Sequence, residues 1–356
     1  MNPTVSVVMA ARNAEQLIFK AIASIQGQTF SDLELLVVDD ASTDGTATIV
    51  KRCADARVRL ISANHHLGLP AALNLGLREA RGTFVARHDH DDVSDSRRIE
   101  RQVEYLRAHD DVALVGSRAW LIDESGRRIG ALDRCLDDVS IRWYQLFDNA
   151  FVHSSVMFRR DVVWGELGGY DASLPSSEDY ELWARVLERH AAANLPDRLL
   201  SYRITSGSKM AGDQEKWEDG PFPETQRRLV AAHIRRMFGD VLSTDELRLM
   251  GNFALGVSPK DAPRFFAAFW RLCDAYEQRY PDARRSSEFT KTIATQVDAV
   301  AARLRPFSRS AAIGIYARAL AERPALMTML PWTRAVGRIT VGTAGFMTRA
   351  RLRDAA

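Results

Sequence analysis

The sequence predicts an α/β fold: a doubly wound, mostly parallel sheet flanked by helices, followed by an α-helical C-terminal extension. Two observations support this fold class. Over the first 90 residues, compact apolar runs of strand length alternate with segments of helical spacing, as in parallel sheets. After about residue 224, apolar residues recur at helical spacing. The 356 residues exceed one ordinary hydrophobic core, which agrees with a second region.

The individual elements follow from the same patterns in chain order. Strands are predicted over 5–9, 33–38, 58–61 and 84–86, with a helix after each, the fourth over 95–108. Further strands are predicted over 112–115, 120–122 and 151–158, and a helix begins at Glu178. In the C-terminal region, helices are predicted over 229–237, 245–255, 262–280 and 289–304.

A polar segment rich in Gly, Asp and Lys, residues 206–223, separates the two regions. Because it shows no periodicity, it predicts a flexible linker that doubles as a lid over the ligand site. The predicted domains are therefore 1–205, the linker 206–223, and the helical region 224–356.

Composition excludes several classes of function. The net charge of +2 gives no electrostatic footprint for a nucleic-acid partner. Cys53, Cys135 and Cys273 are widely spaced, which argues against a zinc site and fits a reducing compartment. No secretory signal is visible, and no apolar run approaches the roughly 20 residues that span a bilayer. A cytoplasmic location is expected.

The segment after the fourth predicted strand carries candidate metal ligands. Asp89, Asp91 and Asp92 place three carboxylates in four residues, and their mutual repulsion favours a bound cation. Hard oxygen ligands suit Mg²⁺ or Mn²⁺. The alternative is a solvated acidic turn before a helix, for which Asp95 would be the N-cap.

Other polar residues also fall at the carboxyl ends of predicted strands, where parallel sheets bind ligands: Asn13, Asp39, Asp40, Asp89 and Asp91. We expect them to share one site. The first strand lacks a following G-x-G-x-x-G, and no Walker-type lysine is present. Acidic rather than glycine-rich strand ends indicate a nucleotide that is held by side chains and a metal ion.

Five motifs resemble those of the family 2 glycosyltransferases over residues 4 to about 205. They are Ser24–Phe30 with Glu34–Thr46, Asn64 and Gly68 with Asn74-x-Gly76, Ala86–Asp92, Gly168–Asp171, and Glu178–Trp183. The resemblance implies a GT-A fold, a Rossmann-like architecture, for the catalytic domain 1–205. It also implies inverting transfer from a nucleotide-sugar with a divalent metal ion, Mn²⁺ or Mg²⁺.

The resemblance assigns roles residue by residue. Asp40 would contact the base, Asp89 the ribose, and Asp91 the metal ion with Asp89 nearby, while Asp179 would be the catalytic base. The other residues expected at the donor nucleotide are Ala10, Arg12 and Asn13. Three positions depart from the family pattern: Ala11 replaces a common Pro, Leu73 a common Arg, and Thr205 a common His.

Acceptor or sugar contacts are expected from His153, Gly169, Tyr170 and Glu178. Each also has a plain structural explanation. His153 would be a satisfied, partly buried histidine, the Gly-Gly-Tyr segment a turn, and Glu178 a carboxylate that favours the helix dipole. The sequence leaves these alternatives open.

The expected function is transfer of a UDP-linked sugar to a glycan or lipid-linked acceptor in cell-surface polysaccharide synthesis. Two alternatives are a metal-dependent sugar nucleotidyltransferase and a non-catalytic sugar-nucleotide scaffold. After residue 300, ten arginines are interleaved with apolar residues. This pattern predicts peripheral binding to an anionic membrane surface, with packing on the catalytic domain as the alternative.

Overall fold

The computed structural model describes residues 2–174, 176–205, 221–251, 253, 257–304 and 309–328. The chain forms two compact units, Met1–Asp240 and Val241–Ala356. The predicted linker 206–223 falls outside the described residues as far as 220, and residues 221–223 begin a helix. The linker and the domain boundaries drawn from it stay a prediction.

The described part of the first unit contains one mixed sheet in the order β3-β2-β1-β4-β8-β6-β9-β5, with β7 paired to β6. The strands are β1 Val5–Ala11, β2 Leu33–Asp39, β3 Val58–Ser62, β4 Phe84–Arg87, β5 Val93–Ser94, β6 Val112–Ile122, β7 Arg128–Leu132, β8 Met157–Arg159 and β9 Ala191–Arg203. The first four strands of this order pair in parallel, as predicted. The carboxyl ends of β1, β2 and β4 therefore meet at one edge.

Helices cover both faces of the sheet. They are α1 Ile18–Gln26, α2 Thr46–Lys51, α3 Leu69–Glu79, α4 Arg98–Ala108, α5 Asp138–Gln145, α6 Glu178–Arg189 and α7 Pro221–Phe238. Along β1, Val5, Val7 and Met9 pack with α1 and α4, while Val8 and Ala10 pack with α3. A strand that is buried on both faces explains the unbroken apolar run in the sequence.

Four predicted elements differ from the structure. The predicted strands 112–115 and 120–122 are one strand, β6, because Gly116 and Ser117 continue the pairing with β9. Of the predicted strand 151–158, only Met157 and Phe158 belong to a strand, since Ser155 bonds back to Val152 and closes a 3₁₀ turn. The helix predicted from Asp95 begins at Arg98.

The second unit is helical among its described residues, as the sequence predicts. Its helices are α8 Thr244–Gly251, α9 Ala262–Arg279, α10 Ser287–Leu304 and α11 Arg309–Glu322, of which α11 was not predicted. Its core contains aromatic pairs such as Phe269 with Trp270 and Tyr276 with Phe289, whose ring centroids lie 5.0 and 5.4 Å apart. Among the helices that the structure describes, none is both long and apolar enough to cross a bilayer.

Candidate functional site

A cavity of about 270 Å³ opens at the carboxyl ends of β1 and β2. The lining residues are Ala10, Ala11, Arg12, Asp40, His66, Leu69, Ala72, Asp89 and His90. Four of the residues predicted to bind the donor nucleotide, Ala10, Arg12, Asp40 and Asp89, thus line one space. The predicted coincidence of strand ends is what brings them together.

Asp40 holds one wall of this cavity. Its carboxylate accepts hydrogen bonds from the backbone N–H of Leu67 at 2.6 Å and of Gly68 at 3.1 Å. His66 Nδ1 lies 2.7 Å from the same carboxylate. The side chain is 4% exposed. Asp40 therefore fixes the loop that leads into α3, in addition to its predicted contact with a base.

Asn13 lies just outside the cavity lining and ties two loops together. Its backbone takes a positive φ of 50°, and its Oδ1 accepts a hydrogen bond of 2.9 Å from the Thr43 N–H. The Asn13 N–H in turn donates to Ser42 Oγ at 3.0 Å. In this structure Asn13 supports the loop after β2, and its predicted contact with the nucleotide stays a prediction.

The acidic segment after β4 forms a compact cluster. One oxygen each from Asp89, Asp91 and Asp92 comes within 4.8 Å of the others. Arg87, 2% exposed, forms an ion pair with Asp89. Burial opposes ionisation of Asp89, but the charge and hydrogen bond of Arg87 outweigh it and lower the pKa to about 2. Asp89 is thus ionised in the folded protein at neutral pH.

The pKa values of Asp91 and Asp92 shift in the opposite direction from that of Asp89. Burial, followed by the charge of Asp89, raises the pKa of Asp91, and burial with both neighbours raises the pKa of Asp92 well above its ordinary value. Asp91 and Asp92 thus ionise unfavourably beside the ionised Asp89, and a hard divalent cation would stabilise the three carboxylates together. The donor set therefore fits Mg²⁺ or Mn²⁺, as the sequence predicts.

A second group of site residues lies at the start of α6. Asp179 Oδ2 accepts a hydrogen bond of 2.7 Å from Asn149 Nδ2, and His153 Nδ1 lies 3.8 Å from the same oxygen. The Tyr180 N–H donates to Asp179 Oδ1 at 2.7 Å. His153 Nε2 is 2.9 Å from the Tyr170 hydroxyl. The predicted base and two predicted acceptor contacts thus form one connected set.

The two groups lie close together. The Asp89 N–H donates a hydrogen bond of 2.8 Å to the hydroxyl oxygen of Ser154, the residue after His153. Burial raises the pKa of Tyr170 far above its ordinary range, with smaller contributions from Asp179, Glu178 and Asp89. His153 and Tyr170 are therefore close both to the acidic cluster and to Asp179. Glu178 is only 5% exposed, which places it beneath this surface.

The chain is similar in sequence to several known proteins. Residues 6–165 match the model of glycosyl transferase family 2. The amylovoran biosynthesis glycosyltransferase AmsE of Erwinia amylovora is 33% identical over 218 residues, which cover 60% of this chain and 80% of that protein. The O-antigen biosynthesis glycosyltransferase WbnJ of Escherichia coli is 33% identical over 216 residues, 57% of this chain and 81% of that protein.

This chain belongs to glycosyl transferase family 2.

Solved structures with a similar fold support the predicted architecture of this glycosyltransferase. TarS of S. aureus, residues 1–349 in complex with UDP-GlcNAc, matches with a TM-score of 0.53 at 18% identity, covering 89% of each chain. The mannosyltransferase PcManGT from Pyrobaculum calidifontis, in complex with GDP-Man and Mn²⁺, matches with a TM-score of 0.50 at 20% identity. It covers 86% of this chain and 87% of that chain. At such identities the likeness shows the fold alone, and the GT-A prediction is confirmed.

Sequence reasoning missed Arg203, which secures the acidic loop of this family 2 glycosyltransferase. The Arg203 N–H donates to Asp92 Oδ1, and Nε donates to the Asp91 carbonyl oxygen, both at 2.8 Å. Its Nη1 also donates to the carbonyl oxygens of Asp123 and Glu124. Local spacing in the sequence cannot show that the end of β9 returns to the acidic loop.

Asn149 and Asn74 were missed as well. Asn149 holds Asp179, as described above, and precedes the segment that was predicted as a strand. Asn74 clamps the backbone of Tyr170 with two hydrogen bonds, from the Tyr170 N–H at 2.9 Å and to the Tyr170 carbonyl at 2.8 Å. The sequence signal was available for Asn74, because Asn74 and Gly169-Tyr170 both belong to motifs quoted for the family.

Gly169 shows why this second motif requires glycine. Its φ is +80°, and a Cβ there would lie 2.4 Å from Asn74 Oδ1 and 3.1 Å from the Trp164 ring. A side chain would therefore displace the clamp on Tyr170. Gly169 positions the neighbouring Tyr170, and a direct contact with the sugar stays a prediction.

Proposed function

We propose that this protein is an inverting glycosyltransferase. It would transfer a sugar from a nucleoside diphosphate sugar, UDP-linked in the first instance, to a hydroxyl group of a glycan or lipid-linked acceptor. The observation that carries the proposal is the arrangement of carboxylates. Three form a cluster that meets a cavity of about 270 Å³ at Asp89, and a separate one, Asp179, lies beside His153 and Tyr170.

The acidic cluster would hold the donor. Asp91 and Asp92, with Asp89 beside them, would bind Mn²⁺ or Mg²⁺, and the ion when bound would neutralise charge on the departing diphosphate. Arg203 keeps the loop in place through Asp92 Oδ1 and the Asp91 carbonyl. PcManGT is described with GDP-Man and Mn²⁺, which supports a metal ion in this fold.

Asp179 would act as the general base. Its carboxylate takes the proton of the acceptor hydroxyl as the acceptor oxygen forms a bond to the anomeric carbon of the donor. The bond between that carbon and the diphosphate oxygen breaks at the same time, so the nucleoside diphosphate leaves with the electron pair. A single displacement inverts the anomeric configuration. General-base assistance of this kind supplies roughly 10²–10⁴-fold in rate.

The names of two relatives support a role in surface polysaccharides. AmsE is described in amylovoran biosynthesis and WbnJ in O-antigen biosynthesis. We extend to this protein the same class of acceptor, a growing glycan or its lipid-linked precursor. TarS is described with UDP-GlcNAc and PcManGT with GDP-Man, so UDP and GDP donors are the first to test.

The direct test is a thermal-shift panel of UDP- and GDP-sugars, with and without Mn²⁺, followed by detection of nucleoside diphosphate release. The proposal predicts a metal-dependent rise in melting temperature with one nucleotide-sugar. It also predicts slow hydrolysis of that donor. A protein stabilised by nucleoside triphosphates instead would indicate a nucleotidyltransferase. No response to any nucleotide-sugar would contradict the proposal.

Membrane association rests on the sequence alone, because residues 329–356 lie outside the described part of the chain. The predicted attraction of basic residues to an acidic leaflet is about 1 kcal/mol each. The full chain should therefore sediment with anionic vesicles at low salt. A version ending near residue 305 should stay in the supernatant, and equal negligible binding of both would remove the prediction.

A further inference from the structure

His153 and Tyr170 form a connected pair beside Asp179 that the proposed reaction does not yet use. The imidazole is almost buried, with its side chain 11% exposed, and its two nitrogens face two different groups. Nε2 lies 2.9 Å from the Tyr170 hydroxyl, and Nδ1 lies 3.8 Å from Asp179 Oδ2. The pair therefore connects a buried phenol to the carboxylate of the proposed base.

The buried phenol selects the imidazole tautomer. Burial raises the pKa of Tyr170, so its hydroxyl keeps the proton and needs an acceptor. His153 Nε2 is the acceptor within hydrogen-bond distance. A neutral imidazole that accepts at Nε2 carries its proton on Nδ1, and that N–H then faces Asp179 Oδ2. The contact is attractive for an ionised carboxylate and would be repulsive for the other tautomer.

The surroundings hold both rings in place. The Trp183 ring meets His153 and Tyr170 edge-on, with centroids 6.0 and 6.2 Å away, and Trp183 lies one helical turn after Asp179 on α6. On the other side, Asn74 clamps the Tyr170 backbone. Neither ring can rotate without disturbing packed neighbours, so the orientation of the imidazole is built into the fold.

We propose that His153 is a positioning residue for Asp179, with Tyr170 setting its tautomer. The Nδ1–H, together with the amide of Asn149, orients the Asp179 carboxylate toward the acceptor hydroxyl. The inference rests on the proposed function, since it assigns work to the proposed base. It deepens that function by assigning the residues that hold the proposed base in position.

The test compares two substitutions that separate the imidazole nitrogens. His153→Asn places an amide nitrogen near the position of Nδ1, whereas His153→Gln places one near Nε2. The full-length protein is assayed for nucleoside diphosphate release from the nucleotide-sugar that stabilises it, and for the Kd of that nucleotide-sugar. Hydrolysis by water serves as the reaction, because it needs the same base and no identified acceptor.

We expect Tyr170→Phe and His153→Gln each to lower turnover about tenfold, the effect of losing one polar contact to the base in the transition state. His153→Asn should retain most of the activity, and adding Tyr170→Phe to it should cost nothing further. The Kd for the nucleotide-sugar should change less than twofold in every variant.

The matched controls are Tyr105→Phe and His109→Gln, a tyrosine and a histidine that stack at 4.1 Å near the end of α4. They should leave turnover unchanged. Equal turnover of Tyr170→Phe and wild type would overturn the inference. So would equal loss in His153→Asn and His153→Gln, or losses that match a fall in donor affinity. A wild-type protein that neither binds nor cleaves any nucleotide-sugar would instead overturn the proposed function.

Discussion

The buried carboxylates at the two edges of the sheet differ in how their negative charge is balanced. At the amino-terminal edge, Glu34 at the start of β2 is 3% exposed and fully engaged. It accepts hydrogen bonds from Ser6 Oγ at 2.7 Å, from Arg81 Nη2 at 2.7 Å and from Arg59 Nη1 at 2.9 Å. Burial opposes ionisation, but these bonds outweigh it and lower the pKa of Glu34.

At the carboxyl-terminal edge, three carboxylates crowd together and the balance is different. Arg87 pairs with Asp89, yet the pKa values of Asp91 and Asp92 are raised by burial and by their neighbours. We infer that one sheet serves two purposes. Charge is neutralised where the carboxylate stabilises the fold, and excess negative charge is retained where a cation and its ligand would supply the missing balance.

The largest effect should follow Asp91→Asn at the carboxyl-terminal edge. Asp91 would hold the metal ion that neutralises the diphosphate. Its loss should remove several kcal/mol of transition-state stabilisation, so turnover should fall at least about a hundredfold. Without metal, however, the variant should melt higher than wild type, because repulsion with Asp89 is relieved. Differential scanning fluorimetry and nucleoside diphosphate release measure both. A variant that keeps metal-dependent turnover would show that Asp91 is not a ligand.

Asp179→Asn should leave this edge intact and remove the base. Turnover should fall by roughly 10²–10⁴-fold, while the Kd for the nucleotide-sugar and the response to Mn²⁺ stay close to wild type. The substituted amide is uncharged but similar in shape, so α6 should remain folded. Loss of donor binding with near-normal turnover would mean that Asp179 is a structural residue of the helix start.

Glu34→Gln tests the amino-terminal edge and should act on stability alone. Bonds to a buried carboxylate contribute about 2 kcal/mol, and this amount should appear in urea unfolding at neutral pH. Because the folded pKa is lowered, the contribution is complete above about pH 4.5 and is lost as the pH falls through the folded value. The stability difference from wild type should therefore shrink in acid. Metal affinity should not change.

The smallest expected effect is the difference between alanine substitutions at two adjacent glycines near the site. Gly168 and Gly169 both have positive φ, but a Cβ at Gly168 would meet nothing within 4 Å. Gly168→Ala should cost only the backbone strain, about 1 kcal/mol. Gly169→Ala adds the clash with Asn74 and should also lower turnover through Tyr170. Thermal melting with the hydrolysis assay distinguishes the two, and equal turnover in both variants would argue against the Asn74 clamp.

Much of the fold could be predicted because its signals are local. The runs that became β1, β2 and β4 are apolar on both faces, and their acidic ends appear directly in the sequence. Only the end of the segment predicted as a strand over 151–158 is a strand, because the N–H and the hydroxyl of Ser155 donate to the Val152 carbonyl oxygen and close a turn that apolar spacing does not reveal. The two strands predicted in place of β6 were separated because Gly116 and Ser117 resemble a break, whereas pairing with β9 carries them through.

The residues of the site also differ in whether local sequence signals predict them. Residues at strand ends, such as Asp40 and Asp89, could be predicted because topology alone brings strand ends together. Arg203 and Asn149 could not, since each acts through a contact with a segment distant in the sequence, at 2.8 Å to Asp92 and 2.7 Å to Asp179. Spacing also cannot show that His153 lies beside Asp179.

We propose that the carboxyl-terminal edge keeps its negative charge for a divalent cation. The most direct measurement is titration of Mn²⁺ into the protein with the stabilising nucleotide-sugar, followed by electron paramagnetic resonance of the free ion. Wild type and Glu34→Gln should each bind one ion with the same affinity, and Asp91→Asn should bind at least about a hundredfold more weakly. Equal Mn²⁺ binding by wild type and Asp91→Asn, or none by wild type, would contradict the account.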